Sequence, residues 1–203
     1  MNDQTSNQAG SRDDPERDLR LMKLIGAGDE EAFRELVEAH QLRVLGTAIR
    51  MLGDHADAED IAQEVFVRVW KGAARWEPSA KFTTWLYTII RNCVFNEIRR
   101  RKRHPADSLE AERDDENHPR QFLNPSTKAP DAALLDDEMQ DAIERAIQEL
   151  PEAQRMAVIL RRYQDVSYEE IAEVLDLTVL AVKSVLFRAR TTLREKLREY
   201  LGD

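Results

Sequence analysis

Residues 167–190 read SYEEIAEVLDLTVLAVKSVLFRAR, and this stretch predicts two helices joined by a tight turn. Ser167 and Glu170 match a capping box, in which each side chain satisfies a free backbone N–H at the start of a helix. Apolar residues at helical spacing then predict a short helix, Tyr168–Leu175, and a longer basic helix, Val179–Arg198, with a three-residue turn between them. Together these features predict a helix-turn-helix.

The longer helix carries the side chains that a helix-turn-helix turns toward DNA. From Lys183 to Arg198 it holds six Lys or Arg residues and one acid, in a chain whose net charge is −9. Side chains near the start of such a helix reach base edges in the major groove, and later Lys and Arg residues reach phosphates. The candidates are Lys183, Ser184, Arg188 and Arg190. An ordinary helical hairpin with a solvated basic face stays open as the alternative for this stretch alone.

A second basic helix is predicted over Phe82–Arg103. Its last part, Arg91–Arg103, again holds six Lys or Arg residues and one acid. A basic stripe on a helix is the electrostatic footprint of nucleic-acid binding, and a solvated helix face is the ordinary alternative. Trp85 and Cys93 fall on the apolar stripe of this helix, so we expect them to pack in the core.

The segment DAEDIAQEVFVRVW, residues 57–70, predicts a helix with an apolar stripe beside a polar one. Asp60, Gln63, Glu64 and Arg68 lie near one face, because residues three, four and eight positions apart are neighbours on a helix. This mostly acidic face suits docking to a basic partner helix. Spacing alone leaves a solvated acidic face as the alternative.

Helical periodicity throughout predicts an all-α fold made of two small helical domains joined by a flexible acidic linker. Residues 1–18 are expected to be a disordered tail, residues 19–103 the first domain, 104–131 the linker and 132–201 the second domain. The linker contains four prolines, and its residues 107–116 hold six acids and one Arg. Such a segment buries too little apolar surface to offset the entropy lost on ordering.

Several classes of protein are excluded by composition. One cysteine rules out an intramolecular disulfide. No apolar run approaches the ~18 residues of a membrane helix, and Met1–Asp14 lacks the apolar core of a signal peptide, so we expect a cytoplasmic protein without membrane insertion. The four histidines lack metal-ligand spacing, and His40 is read as a helix-face residue. No phosphate loop or nucleophile motif occurs, so no metal, cofactor or enzymatic activity is predicted.

Three stretches together resemble bacterial sigma factors of the extracytoplasmic-function class, group IV of the sigma-70 family. They are the segment 57–70, the segment FTTWLYTIIRN at 82–92, and the helix-turn-helix at 168–190. Their order and spacing carry the resemblance over nearly the whole chain, from about Leu19 to Leu201. It implies an alternative sigma factor that binds core RNA polymerase and directs promoter-specific transcription initiation.

The resemblance also implies roles for individual residues. Region 2 of the family grips the clamp helices of the β′ subunit, and the corresponding residues here are Asp57, Asp60, Gln63, Glu64, Phe66 and Trp70. Region 2 also reads the −10 element with a loop that receives a flipped base and with the helix that follows. A base reader needs a pocket with stacking or hydrogen-bonding groups, and cations that hold the backbone. The residues in those positions are Arg75, Lys81, Thr84, Thr88, Arg91, Asn92, Asn96, Arg99, Arg100, Arg101, Lys102 and Arg103.

Region 4 of the family reads the −35 element and contacts the β flap of the polymerase. The matching −35 residues are Thr178, Lys183, Ser184, Arg188 and Arg190. A separate anti-sigma factor is a further implied partner. The chain departs from the family at Asp176, where a glycine is usual, and at Leu180 and Val185, where polar or basic residues are usual. We expect Leu180 or Val185 either to read thymine methyl groups or to face a protein partner.

A stand-alone helix-turn-helix regulator, which binds an operator without polymerase, is the rival interpretation. The stretch 168–190 alone does not exclude it. Such a regulator would have no need of the acidic helix at 57–70 or of the basic helix at 82–103.

Overall fold

The computed structural model describes residues 14–103 and 130–201, with side chains over 14–103 and 138–200. Every element within these two ranges is a helix, which confirms the predicted all-α fold. The N-terminal part contains α1 (Pro15–Gly26), α2 (Glu30–Leu52), α3 (His55–Ala73) and α4 (Phe82–Arg103). The C-terminal part contains α5 (Pro130–Gln148), α6 (Glu152–Tyr163), α7 (Tyr168–Leu175), α8 (Val179–Lys196) and α9 (Arg198–Leu201). The predicted acidic stretch 107–116 lies outside the described residues.

Aspartates begin the first three helices. The carboxylate of Asp14 accepts N–H bonds from the first turn of α1, that of Asp29 accepts from Ala32 at 3.0 Å, and that of Asp54 accepts from Asp57 at 2.7 Å. Each bond satisfies a backbone donor that the helix itself leaves free. Gly53 ends α2 in the left-handed conformation, with φ 74°, as its position after the apolar stripe predicts.

Three boundaries differ from those expected. Helix α1 begins at Pro15, so residues 15–18 are helical and not part of a tail, and Asp18 is buried. Proline at the first helical position and the cap Asp14 explain this earlier start. Helix α5 begins at Pro130, two residues inside the predicted linker. Helix α8 ends at Lys196, and the short α9 follows.

The helix-turn-helix has the local geometry that its sequence predicts. The Ser167 hydroxyl accepts the Glu170 N–H, and the Ser167 N–H donates to the Glu170 carboxylate at 3.0 Å. Asp176 takes the left-handed conformation at the turn, with φ 56° and ψ 52°, where only Gly is free of a steric cost. Thr178 then caps α8 by accepting the Ala181 N–H at 3.2 Å.

The two helical parts share one continuous apolar core. Among its fully buried members are Leu36, Met51, Leu86 and Ile90 from the N-terminal part, and Leu150, Met156, Ile159 and Ile171 from the C-terminal part. Polar contacts cross the same junction. Arg155 donates to the Met51 carbonyl at 2.6 Å, and Gln148 donates to the Arg50 carbonyl at 2.7 Å. These bonds satisfy carbonyls in the last turn of α2, which have no partner within that helix.

Candidate functional site

The polar face of α3 is exposed as predicted. Asp60, Gln63 and Glu64 lie on it, and Glu64 accepts a 2.5 Å hydrogen bond from Arg68 one turn later. Val67 and Trp70 lie on the same side and are partly exposed. The result is a mixed acidic and apolar surface, which is the character needed to pack against a helix that carries cations.

Two other residues of the predicted polymerase-binding set do not lie on the exposed face itself. The Phe66 ring is buried in the core and supports this surface from below. Asp57 is half-buried near the start of α3, where it accepts a hydrogen bond from Arg101 of α4. Asp57 therefore joins α3 to α4 in this structure instead of lying on the exposed face.

Helix α4 presents a polar stripe to solvent. Thr88, Asn92, Asn96, Arg99 and Arg103 recur at intervals of three or four residues, so they share one side of the helix. Arg91 lies beside the stripe and donates to the Asn92 side-chain oxygen at 2.7 Å. Thr84 belongs to the predicted set but is buried, and its carbonyl accepts the Thr88 hydroxyl at 3.0 Å.

The remaining cations of α4 are engaged with acids. Arg100 and Arg101 both donate to Glu97, at 2.8 Å and 3.2 Å. The hydrogen bond from Arg100, with that from Arg101, holds the pKa of Glu97 below its ordinary value. Arg101 also donates to Asp57 and to the Leu52 carbonyl, so it braces the three helices α2, α3 and α4.

An aromatic cluster supports the loop between α3 and α4. The rings of Trp76, Phe82 and Trp85 lie with their centroids 6.0 to 6.4 Å apart. A Cβ on Gly72 would lie 3.0 Å from the Trp85 ring, so a side chain at this position would require the ring to shift by a few tenths of an ångström. Trp85 and Cys93 pack against or within the core as expected. Arg75 is exposed on this loop.

Lys81 and Lys102, at opposite ends of α4, are paired with acids of the C-terminal part. Lys81 contacts Glu170 of α7 at 2.9 Å, and Lys102 contacts Glu152 of α6 at 2.5 Å. Burial alone would raise the pKa of Glu170, but the bonds from Lys81 and from Ser167 hold that pKa below its ordinary value. Sequence patterns did not predict these pairs, because the partners lie far apart in the chain.

The outer face of α8 carries the predicted −35 residues. Lys183, Ser184, Arg188 and Arg190 are all exposed, and Arg190 donates to the Tyr168 hydroxyl at 3.1 Å. Thr178 is exposed as the cap residue. The structure corrects the expectation for Val185, which is buried because it lies on the side of α8 that packs in the core.

A buried polar pair was missed by the sequence analysis. His40 lies on a helix face as expected, but that face is the buried one, and its Nε2 lies 2.9 Å from Oδ1 of Asp18. The Phe82 ring packs edge-on against the imidazole at 5.1 Å. The position of His40 between Leu36 and Val44, each four residues away, was the signal that it faces inward.

Among the side chains that the structure describes, those of residues 14–103 and 138–200, no group of three His, Cys, Asp or Glu is placed to hold a metal ion. The same part of the chain contains no helix that is long and apolar enough to cross a membrane.

Known proteins resemble both parts of the chain. The family model described as Sigma-70 region 2 matches residues 36–104, and the one described as Sigma-70, region 4 matches residues 140–193. The RNA polymerase sigma-H factor of Pseudomonas aeruginosa is 34% identical over 188 residues, which are 93% of this chain and 97% of that protein. The ECF RNA polymerase sigma factor SigW of Bacillus subtilis is 32% identical over 182 residues, 89% of this chain and 96% of that protein.

A solved structure has the same architecture. It is the sigma factor RpoE from Bartonella quintana, in a co-crystal with the anti-sigma factor NepR. The match has a TM-score of 0.63 and 26% sequence identity, and it covers 82% of this chain and 96% of that chain.

Proposed function

Because this chain belongs to the sigma-70 family of RNA polymerase sigma factors, and within it to the extracytoplasmic-function group, we propose that its two helical parts read the two elements of one promoter. The chain is an alternative sigma factor that directs transcription initiation. The proposal that each part reads one element is supported by two separate helix faces, one on α4 and one on α8. Both faces are exposed and carry polar and basic side chains. A stand-alone regulator is not favoured.

The exposed face of α3 is the proposed polymerase contact. Asp60, Gln63 and Glu64 supply the polar and acidic groups, and Trp70 supplies an apolar anchor. In the proposed complex these side chains pack against the clamp helices of β′. Aromatic residues at the centre of an interface typically contribute more binding free energy than charges at its rim.

The N-terminal part is proposed to read the −10 element through α4 and the loop before it. Asn92 and Asn96 can donate and accept hydrogen bonds, as the reading of a base edge requires. Arg99 and Arg103 continue the stripe and would bind phosphates, which position DNA without reading its sequence. The aromatic cluster fixes the loop that carries Arg75, so the loop is held in place before DNA arrives.

The C-terminal part is proposed to read the −35 element as a duplex. Helix α8 would lie in the major groove, with Lys183 and Ser184 near base edges and Arg188 and Arg190 near phosphates. The same part is proposed to contact the β flap. We propose that the protein acts in the cytoplasm, without catalytic activity of its own. We also propose that an anti-sigma factor binds it, because the similar RpoE of Bartonella quintana forms a complex with the anti-sigma factor NepR.

In vitro transcription with purified core polymerase on a pooled promoter library tests the proposal. We expect transcripts from a subset of templates that share two spaced elements. Specific binding of the chain alone to a DNA sequence, with no dependence on core polymerase, would support the stand-alone regulator instead.

A variant series then tests the polymerase contact. Asp60→Asn with Glu64→Gln removes both charges from the α3 face, and Trp70→Ala removes the aromatic anchor. Both should weaken binding to core polymerase, and Trp70→Ala by the larger factor. Glu38→Gln, which changes an exposed acid on α2, is the matched control and should bind like the unaltered chain. Undiminished core binding by both α3 variants would contradict the assignment.

A further inference from the structure

Two large apolar side chains lie on the outer face of α8, where a helix-turn-helix meets DNA. Leu180 is 76% exposed and Phe187 is 69% exposed. They lie seven residues apart, about two helical turns, so they project from the same side. Ser184 and Thr191 lie on the same side, and each hydroxyl donates to a carbonyl of its own helix at 3.1 Å, so only its acceptor sites remain for DNA.

Cations border this apolar line on both sides. At about 100° per residue, Lys183, Arg190 and Arg194 fall on one side of it and Arg188 on the other. The major groove of DNA has the complementary arrangement, with base edges on its floor and phosphates along both rims. This complementarity of charge selects duplex DNA as the occupant of the surface.

Leu180 lies in the part of α8 where a recognition helix contacts base edges. It is the second residue of α8 after the cap Thr178, and residues near the start of a recognition helix contact base edges. A leucine side chain has no hydrogen-bonding atom, so it can recognise only an apolar group on a base. In the major groove that group is the 5-methyl of thymine, which no other standard base carries.

Burial distinguishes Leu180 from Val185, the other apolar residue of α8 that departs from the family pattern. Val185 is only 8% exposed, and it packs with Val182 and Ala189 on the opposite side of α8. Of these two apolar side chains, only that of Leu180 is exposed to DNA.

We propose that Leu180 is a specificity-determining residue that reads the 5-methyl group of one thymine in the −35 element. The inference rests on the proposed function, because it requires α8 to lie in the major groove of a promoter. The inference adds a preference for thymine at one position of the −35 element, and a side chain without polar atoms provides this preference.

Replacement of thymine by deoxyuridine tests the proposal, because deoxyuridine keeps the base pair and lacks only the methyl group. Core polymerase carrying the full chain first selects its −35 sequence from a pooled promoter library. Each thymine of that sequence is then replaced singly, and holoenzyme affinity is measured. We expect one position at which the loss is about fourfold, the value for one methyl-sized group removed from water.

The variant Leu180→Ala should bind the thymine and deoxyuridine promoters equally at that position and keep its response to every other base change. Alanine favours helix formation, and the replaced side chain is exposed, so the fold should be retained. Leu42→Ala removes an equally exposed leucine, also 76%, from α2, and it should keep the fourfold loss.

Two results would overturn the proposal. One is a wild-type holoenzyme that is insensitive to deoxyuridine at every −35 position. The other is an unchanged deoxyuridine penalty in Leu180→Ala, as expected if this residue faces a protein. Failure of the proposed function would be seen in the first step, because the library selection would then yield no −35 preference. That result would also overturn the inference about Leu180.

Discussion

The Nζ atom of Lys81 lies 2.9 Å from Oε1 of Glu170, so the residue just before α4 is joined to the first helix of the helix-turn-helix. Lys102 and Glu152 repeat this relationship at the other end of α4. Two cations proposed to bind promoter DNA are therefore occupied by carboxylates of the same chain. DNA binding by either lysine requires that the ammonium share its three N–H donors between the carboxylate and a phosphate, or release the carboxylate.

Reversal of one of these charges should loosen the junction between the two parts. Lys102→Glu places a second acid opposite Glu152. The pair of Lys81 and Glu170 is less suitable for this test, because Glu170 also completes the capping box. An exposed ion pair contributes up to about 1 kcal/mol, so the population of separated parts should rise by up to about fivefold. Small-angle X-ray scattering at low salt should show a larger radius of gyration.

The charge swap Lys102→Glu with Glu152→Lys is the control for this experiment and should restore the compact form. High salt should reduce the difference between variant and wild type, because exposed charges are screened. Equal scattering of wild type and Lys102→Glu at low salt would show that the pair does not hold the parts together.

Removal of one partner from the buried pair of Asp18 and His40 should be costly. Asp18→Ala leaves the imidazole without its hydrogen-bond partner inside the protein, which costs about 1–3 kcal/mol of unfolding free energy. The double variant Asp18→Leu with His40→Leu should recover much of that loss, since no buried polar group is then left unpaired.

Urea denaturation measures both effects, and Glu16→Ala, at an exposed acid of the same helix, serves as the matched control. A cost for Asp18→Ala no larger than that of Glu16→Ala would mean that the pair contributes nothing to stability.

The stability provided by Glu97 should depend on pH. The bonds from Arg100 and Arg101 depress its pKa from the ordinary value of 4.5 in the folded state. A carboxyl group whose pKa is lower in the folded protein contributes stability that is fully present at pH above its pKa in the unfolded chain. This stability is lost as the pH falls through its pKa in the folded protein. The difference in unfolding free energy between wild type and Glu97→Gln should thus shrink as pH falls from about 6 to about 3. A constant difference over this range would refute the coupling.

Substitutions at Asp176 should rank by their tolerance of the left-handed backbone. Asp176→Gly restores the residue usual in the family and should stabilise the chain by about 0.5–1 kcal/mol, because glycine adopts φ 56° without a steric cost. Asp176→Ala should destabilise it, since alanine keeps the Cβ and loses the polar side chain that makes the conformation tolerable. Thermal denaturation gives the order, and a glycine variant less stable than wild type would contradict it.

Local sequence patterns predicted most of the fold. Caps such as Ser167 and Asp29, and apolar residues at helical spacing, depend on neighbours within one or two turns, so they can be recognised in the chain itself. The same periodicity would have placed Val185 in the core, because it lies three residues after the buried Val182 and four before the buried Ala189.

Contacts between distant residues could not be predicted in this way. The Tyr87 hydroxyl donates to Gln164 at 3.2 Å, and Gln164 donates to Thr47 at 3.3 Å, across 77 and 117 positions of the chain. No repeating pattern in the sequence joins such residues. Their pairing follows from the way the two helical parts pack, and the same holds for Lys81 with Glu170.

The pairing of Lys81 and Lys102 has a consequence for competition between ligands. The two carboxylates are delivered by the same polypeptide, through the connection formed by residues 104–129, so they act as a tethered ligand. The effective concentration of a ligand on the same chain does not depend on the concentration of the protein. A promoter phosphate competes with this internal ligand for the lysine N–H groups, and dilution of the protein leaves the competition unchanged. A partner that held the two parts at separate places would remove this competitor from both lysines.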